Sequence, residues 1–186
     1  PAPLRSPGPG PVVATVTVTP QTTSGGGSNF AYVPNFVSNT VTVFNLTTNA
    51  LVATIPVGNS PYGVVFSPDG SKVYISNYNS GSVSVINTAT NTVSATIVVA
   101  NRPVGLAISP DGTKLYVGNE NPTNLVHVIN TATNAIITTI TVGSAPYGVS
   151  VSPDGSKVYV ANYGSSSVSV ISTATNTVTT TIPVAL

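Results

Sequence analysis

The chain carries four carboxylates (Asp69, Asp111, Glu120 and Asp154), five cationic side chains, one histidine and no cysteine. Any acid–base, metal or nucleophilic chemistry must be drawn from this short list. Three of the carboxylates stand in one recurring frame: Ser67-Pro68-Asp69-Gly70, Ser109-Pro110-Asp111-Gly112 and Ser152-Pro153-Asp154-Gly155. Each is followed three residues later by a lysine, Lys72, Lys114 or Lys157. A pair of carboxylates hydrolysing a glycoside must lie about 5–9.5 Å apart, and equivalent positions on successive repeats are expected to stand farther apart than that. In this frame Pro pre-sets φ, Asp bonds to nearby backbone amides and Gly takes the left-handed position, so the Asp residues are expected to make turns. Calcium requires several converging oxygen ligands, and no D-x-D-x-D-G run is present. His127 has no second His or Cys to share a metal with, and it occupies a strand position that the other repeats fill with Thr42, Ser84 and Ser169. No G-x-S-x-G elbow accompanies the many serines, and Gly25-Gly26-Gly27 lacks the helix and Lys of a phosphate loop. The expectation is no catalytic residue, no metal, no cofactor and no enzyme.

What must position these residues is a repeat. The Pro-Asp-Gly turns recur at spacings of 42 and 43 residues, each followed by Val73-Tyr74-Ile75-Ser76-Asn77, Leu115-Tyr116-Val117-Gly118-Asn119 or Val158-Tyr159-Val160-Ala161-Asn162. Alternating segments then predict strands near 30–34, 73–77, 114–118 and 157–161, near 40–45, 82–87, 124–129 and 167–172, and near 51–56, 93–98, 135–142 and 177–183. A further set is expected near 63–67, 104–108 and 147–151. No helical period is seen. Residues 1–29 read differently: a Pro/Gly-rich arm, one strand at 12–19 presenting Val12, Val13, Val16 and Val18, and a flexible linker through Gly25-Gly26-Gly27. Residues 30–186 hold the repeats.

Charged residues make up only 5% of the chain and the net charge is +1, so Ser, Thr and Asn must supply solubility. A surface so short of charge does not steer nucleic acid or anionic membrane, and neither is expected as a partner. No apolar run long enough for a transmembrane helix occurs. The chain opens at Pro1 and has neither an initiator Met nor a signal segment, so it reads as a processed protein or an excised fragment. That opening and the Thr/Ser/Asn-rich surface together favour an extracellular or cell-surface location. Asn45-Leu46-Thr47 is the single N-x-[ST] sequon.

Four short antiparallel strands per repeat of about 42 residues mark a β-propeller blade. The fold expected is therefore all-β, an array of about four four-stranded blades. The segments Val158 to Asn162, Val73 to Asn77 and Asn176 to Val184 resemble the YVTN-type propeller repeats of prokaryotic surface-layer proteins. That resemblance implies a cell-surface setting and rings of about seven blades. Here the repeats supply fifteen strands, and blade one lacks its innermost. The segment 12–19 would complete it in cis, closing a four-blade ring, or in trans by filling another subunit's gap; alternatively it lies elsewhere while two chains pair into a larger ring. The leading functional expectation is a non-enzymatic structural subunit of a surface layer or fibre, partnered by copies of itself through strand exchange. The alternative is a recognition module for a glycan or cell-surface protein. Its contact face would gather Tyr62, Tyr78, Arg102, Glu120, Tyr147 and Tyr163, which propeller connectivity puts in loops on one side of the ring.

Overall fold

The computed structural model describes residues 17–18, 30–100, 102–120 and 123–184. Their strands form four antiparallel sheets of four, each a simple meander. Blade one holds β1 (Thr17–Val18), β2 (Phe30–Asn35), β3 (Thr40–Asn45) and β4 (Leu51–Pro56). Blade two holds β5 (Pro61–Phe66), β6 (Lys72–Asn77), β7 (Ser82–Asn87) and β8 (Thr92–Val98). Blade three holds β9 (Pro103–Ile108), β10 (Lys114–Asn119), β11 (Leu125–Asn130) and β12 (Ile136–Thr141). Blade four holds β13 (Pro146–Val151), β14 (Lys157–Asn162), β15 (Ser167–Ser172) and β16 (Thr177–Pro183). A 3₁₀ turn at Tyr163–Ser165 departs from the all-strand expectation. It forms where the Tyr163 and Gly164 amides fold back onto the Ala145 and Ser144 carbonyls.

The turns work as their residue types dictate. The Gly70 amide donates to the Ser67 carbonyl at 2.8 Å, with Gly70 at φ +65°. Asp69 Oδ1 accepts from the Ser71 amide at 3.0 Å. Both features recur around Asp111 and Asp154. The outer turns close on an Asn: Asn87 Oδ1 accepts from the Ala89 and Thr90 amides, and Asn91 takes the left-handed conformation at φ +53°. Pro61, Pro103 and Pro146 each open an innermost strand, a position where a missing N–H does little harm.

The core lies between blades. Tyr32, Val41, Val43 and Ile55 of blade one pack on Val64, Phe66, Val73, Ile75 and Ile86 of blade two. The same positions repeat between blades two and three, and again between three and four. Tyr32, Tyr74 and Tyr116, which occupy one register position, are all fully buried, at 0% exposure.

The N-terminal strand pairs in cis: Thr17 opposes Tyr32 and Val18 opposes Ala31, the register in which Val65 and Phe66 oppose Tyr74 and Val73. Blade one is thus filled by its own chain, as the cis completion expects. Val12, Val13 and Val16 lie outside the described residues. A closed four-blade ring does not form. Strand packing runs from blade one to two, two to three and three to four, and among the described residues none of comparable extent joins four back to one. Inter-blade burial therefore occurs three times, and each end of the arc is left with one uncovered face.

Candidate functional site

Each blade sends its β-strand connections to two opposite sides of the arc. One side bears the Pro-Asp-Gly and Asn-Thr turns. The other bears the loops that precede each innermost strand and those that follow each strand ending in Asn35, Asn77, Asn119 or Asn162. Two positions on this second side are fixed by backbone. Ser60, Arg102 and Ala145 are left-handed, at φ +56°, +56° and +51°. Their carbonyls accept from the amides of Tyr78, Glu120 and Tyr163, each at 2.9 Å. A non-glycine residue held there costs about 1 kcal/mol or more, so the packing around it must dictate the conformation.

From this frame four rings converge. Tyr62 lies 5.8 Å from Tyr147 and 6.5 Å from Tyr78, centroid to centroid. Phe36 lies 6.4 Å from Tyr62 and 6.3 Å from Tyr78. The Phe36–Tyr62 and Tyr62–Tyr147 pairs meet edge to face, a contact that contributes about 0.5–1.5 kcal/mol beyond burial. The hydroxyls of Tyr62 and Tyr147 are hydrogen-bonded to each other, so blades two and four meet across blade three. The Arg102 guanidinium sits 5.6 Å over the Tyr78 ring. The Tyr78 hydroxyl donates to Glu120 Oε2 at 2.7 Å. Burial, reinforced by that bond to a carboxylate, pushes the Tyr78 phenol up to about 12. Burial, then the bond to Tyr62, also raises the Tyr147 phenol above its ordinary value.

Five of the six residues expected on a contact face are therefore brought together: Tyr62, Tyr78, Arg102, Glu120 and Tyr147. Tyr163 is not; it is 77% exposed and stands apart on blade four. Phe36 was missed, although register could have found it: it follows Asn35 as Tyr78, Glu120 and Tyr163 follow Asn77, Asn119 and Asn162. Tyr78 links Arg102 and Glu120, its ring under the cation and its hydroxyl on the carboxylate.

The remaining polar groups serve structure. On the opposite side a cleft of about 310 Å³ between blades two and three is lined by Asp69, Lys72, Tyr74, Asp111 and Thr131, among others. Both of its carboxylates are engaged. Ser67 Oγ and Ser71 Oγ donate to Asp69, and Ser109 Oγ and Thr113 Oγ1 to Asp111. These bonds hold both acids below their ordinary range. Lys72 Nζ donates to the Thr131 carbonyl at 3.1 Å and Lys114 Nζ to the Thr173 carbonyl at 3.3 Å, each tying one blade to the next. His127 is buried inside β11, and its Nε2 accepts from the Ala100 amide at 3.3 Å. Among the described residues no group of three or more His, Cys, Asp or Glu is placed to share a metal.

A family model described as "Lactonase, 7-bladed beta-propeller" matches residues 86–184. Many solved structures match the chain. One, "Kuenenia stuttgartiensis Hydrazine Synthase", aligns at 28% identity and a TM-score of 0.79, covering 82% of this chain and 45% of its own. Another, a functionally unknown protein from Desulfotomaculum acetoxidans DSM 771, aligns at 19% identity and a TM-score of 0.70, covering 82% of this chain and 53% of its own. The present chain thus spans about half the length of these two structures. No curated protein matches it.

Proposed function

The chain belongs to the lactonase, seven-bladed β-propeller family, and from that premise we propose that it is a non-catalytic extracellular recognition propeller that binds glycan on its aromatic face. The observation that carries this reading is the convergence of Phe36, Tyr62, Tyr78 and Tyr147 around one cation and one carboxylate. Ring faces offer flat apolar surface to the C–H face of a sugar, while phenol, guanidinium and carboxylate supply convergent donors and acceptors for its hydroxyls. The catalytic reading that the family description brings has less support. Glu120, the one carboxylate on this face, already accepts the Tyr78 hydroxyl, and no imidazole stands beside it to act as a second acid or base.

The structural reading, a surface-layer or fibre subunit, draws support from the sparse charge, which permits close lateral packing with little repulsion. Exchange of residues 12–19 as the means of assembly is disfavoured by the cis pairing of Thr17 and Val18.

Titration calorimetry against a panel of neutral and acidic oligosaccharides tests the proposal. A binder is expected whose affinity falls at least tenfold in Tyr147→Ala and Tyr62→Ala and is unchanged in Tyr163→Ala. Binding indifferent to all three substitutions, or lactone hydrolysis that Glu120→Gln abolishes, would overturn it.

A further inference from the structure

The seam between blades two and three has a further blade packed on either side, so its walls do not depend on where the chain begins or ends. On the turn-bearing side this seam opens into the cleft of about 310 Å³ that Asp69 and Asp111 line. Two Pro-Asp-Gly turns stack to form it. A Cβ on Gly112 would lie 3.3 Å from Pro68 Cδ, so the turn of Asp111 rests against the turn of Asp69. Thr131 and Ala132, from the outer turn of blade three, add to the lining.

The hydroxyl and ammonium donors around the cleft are spent. Ser67 Oγ and Ser71 Oγ donate to Asp69, Ser109 Oγ and Thr113 Oγ1 to Asp111, and Lys72 Nζ to the Thr131 carbonyl. The acceptors keep capacity. An ionised carboxylate offers about four lone-pair sites, and Oδ2 of each acid takes one hydroxyl, that of Ser71 or Thr113. Those partners are uncharged, so they hold the two acids ionised without neutralising them. Both aspartates are exposed. Lys72 sets one positive charge against their two negative ones, and the lining stays net anionic.

A buried phenol is the second observation. Tyr74 lines the same cleft at 0% exposure, and its Oη has no hydrogen-bond partner among the described residues. Asn134 Oδ1 of blade three is unpartnered as well. In the first seam the residues at these two positions meet directly, Tyr32 Oη donating to Asn91 Oδ1 at 2.5 Å. Tyr116 Oη and Asn176 Oδ1 repeat the unpartnered pair in the third seam, so it belongs to the repeat and not to one rotamer. Buried polar groups are ordinarily satisfied. What this seam lacks is a donor from outside.

We propose that the cleft receives the guanidinium of an arginine side chain projecting from a partner peptide. A guanidinium brings five N–H donors, no acceptor and a permanent positive charge, the complement of an anionic site with acceptors to spare. Its planar fork suits carboxylate oxygens, here those of Asp69 and Asp111, and Pro68 and Ala132 give its methylene stem an apolar wall. Calcium fits worse, because it takes about six to eight oxygens and the Lys72 ammonium stands in the lining. The volume falls at the lower edge of the roughly 300–1,000 Å³ that encloses a whole small ligand, and so matches one side chain of a longer partner. This cleft lies on the side opposite the aromatic face and is independent of the glycan reading.

Amide NMR of the whole chain, titrated with N-acetyl-arginine amide and with the uncharged isostere N-acetyl-citrulline amide, tests this. The arginine probe should shift the amides of Gly70, Ser71, Gly112 and Ala132 saturably, and the citrulline probe should bind at least tenfold more weakly. Asp69→Asn keeps an Oδ1 to accept the Ser71 amide, so it should fold with distant resonances unmoved and weaken the arginine probe at least fivefold. Tyr74→Phe should weaken it at least threefold while unfolding at no lower temperature than the parent. Tyr32→Phe, which loses a bond already made, should unfold earlier. No saturable shift, equal binding of the two probes, or undiminished binding in Asp69→Asn would each overturn the proposal. So would a Tyr74→Phe chain that is destabilised yet binds as before, which would assign the phenol to an ordered water only.

Discussion

His127 shows what one side chain changes inside a repeat. In blades two and four the strand-ending Asn reaches two serines on the adjacent strand: Asn77 Nδ2 donates to Ser82 and Ser84, and Asn162 Nδ2 to Ser167 and Ser169. Blade three has Leu125 and His127 at those positions, and Asn119 Nδ2 turns to the Ala100 carbonyl at 2.6 Å. His127 stands at the strand position that the other blades fill with Thr42, Ser84 and Ser169. The sequence could not show that the imidazole would hold the Ala100 amide, because that contact depends on a loop brought in from β8. Nε2 accepts, so the ring is neutral, and burial holds its pKa below the ordinary 6.5. The unfolded chain therefore binds the extra proton first. Stability is fully present above about pH 6.5 and is lost as pH falls from there through the folded-state pKa. The turn aspartates are also held low, but their contribution is intact above 3.8 and fades only below it, so a loss that sets in near pH 6.5 is not theirs. Urea unfolding at pH 7.5 and pH 5 should show a loss in the parent chain that His127→Ser abolishes; an equal loss in both would assign it elsewhere.

At the scale of strands and blades, most of the architecture was legible because local chemistry and period agree. Pro-Asp-Gly can hardly be anything but a turn, and a Tyr with alternating Val and Ile on either side can bury only one way in a strand. The inner strands were placed late, near 63, 104 and 147, because their opening Pro-Tyr or Pro-Val reads as loop, whereas each Pro starts the strand. The end of the first strand was legible, but its choice between cis and trans was not, since a flexible linker permits both. Gly105 carried a signal that period alone does not explain. It brings β9 against β13 so closely that a methyl group would lie 2.3 Å from the Tyr147 carbonyl and 3.1 Å from the Val149 amide. Gly105→Ala should cost about 1–3 kcal/mol, as overpacking does, and should also move Tyr147 away from Tyr62. Thermal unfolding reports the first effect. The second should appear as a fall in the Tyr147 phenol pKa toward its ordinary value in an ultraviolet pH titration, and an unchanged titration would uncouple the seam from the aromatic face.

Across the whole molecule, stability is expected to be graded along the arc. In a chain of modules, each contributes its own folding energy plus the seams it shares. Blades two and three share two seams each, while blade four shares one and leaves Tyr159 and Ile182 in contact with water. Its strand β14 alternates buried and exposed residues, whereas β6 and β10 are buried from their second residue to their last. Native-state hydrogen exchange should thus find the amides of β14 and β15 opening before those of β6, β7, β10 and β11, as a cooperative unit of lower free energy. Uniform protection across all four blades in dilute solution would mean that the seams do not set the stability of their blades, and the periodic core would then need another account.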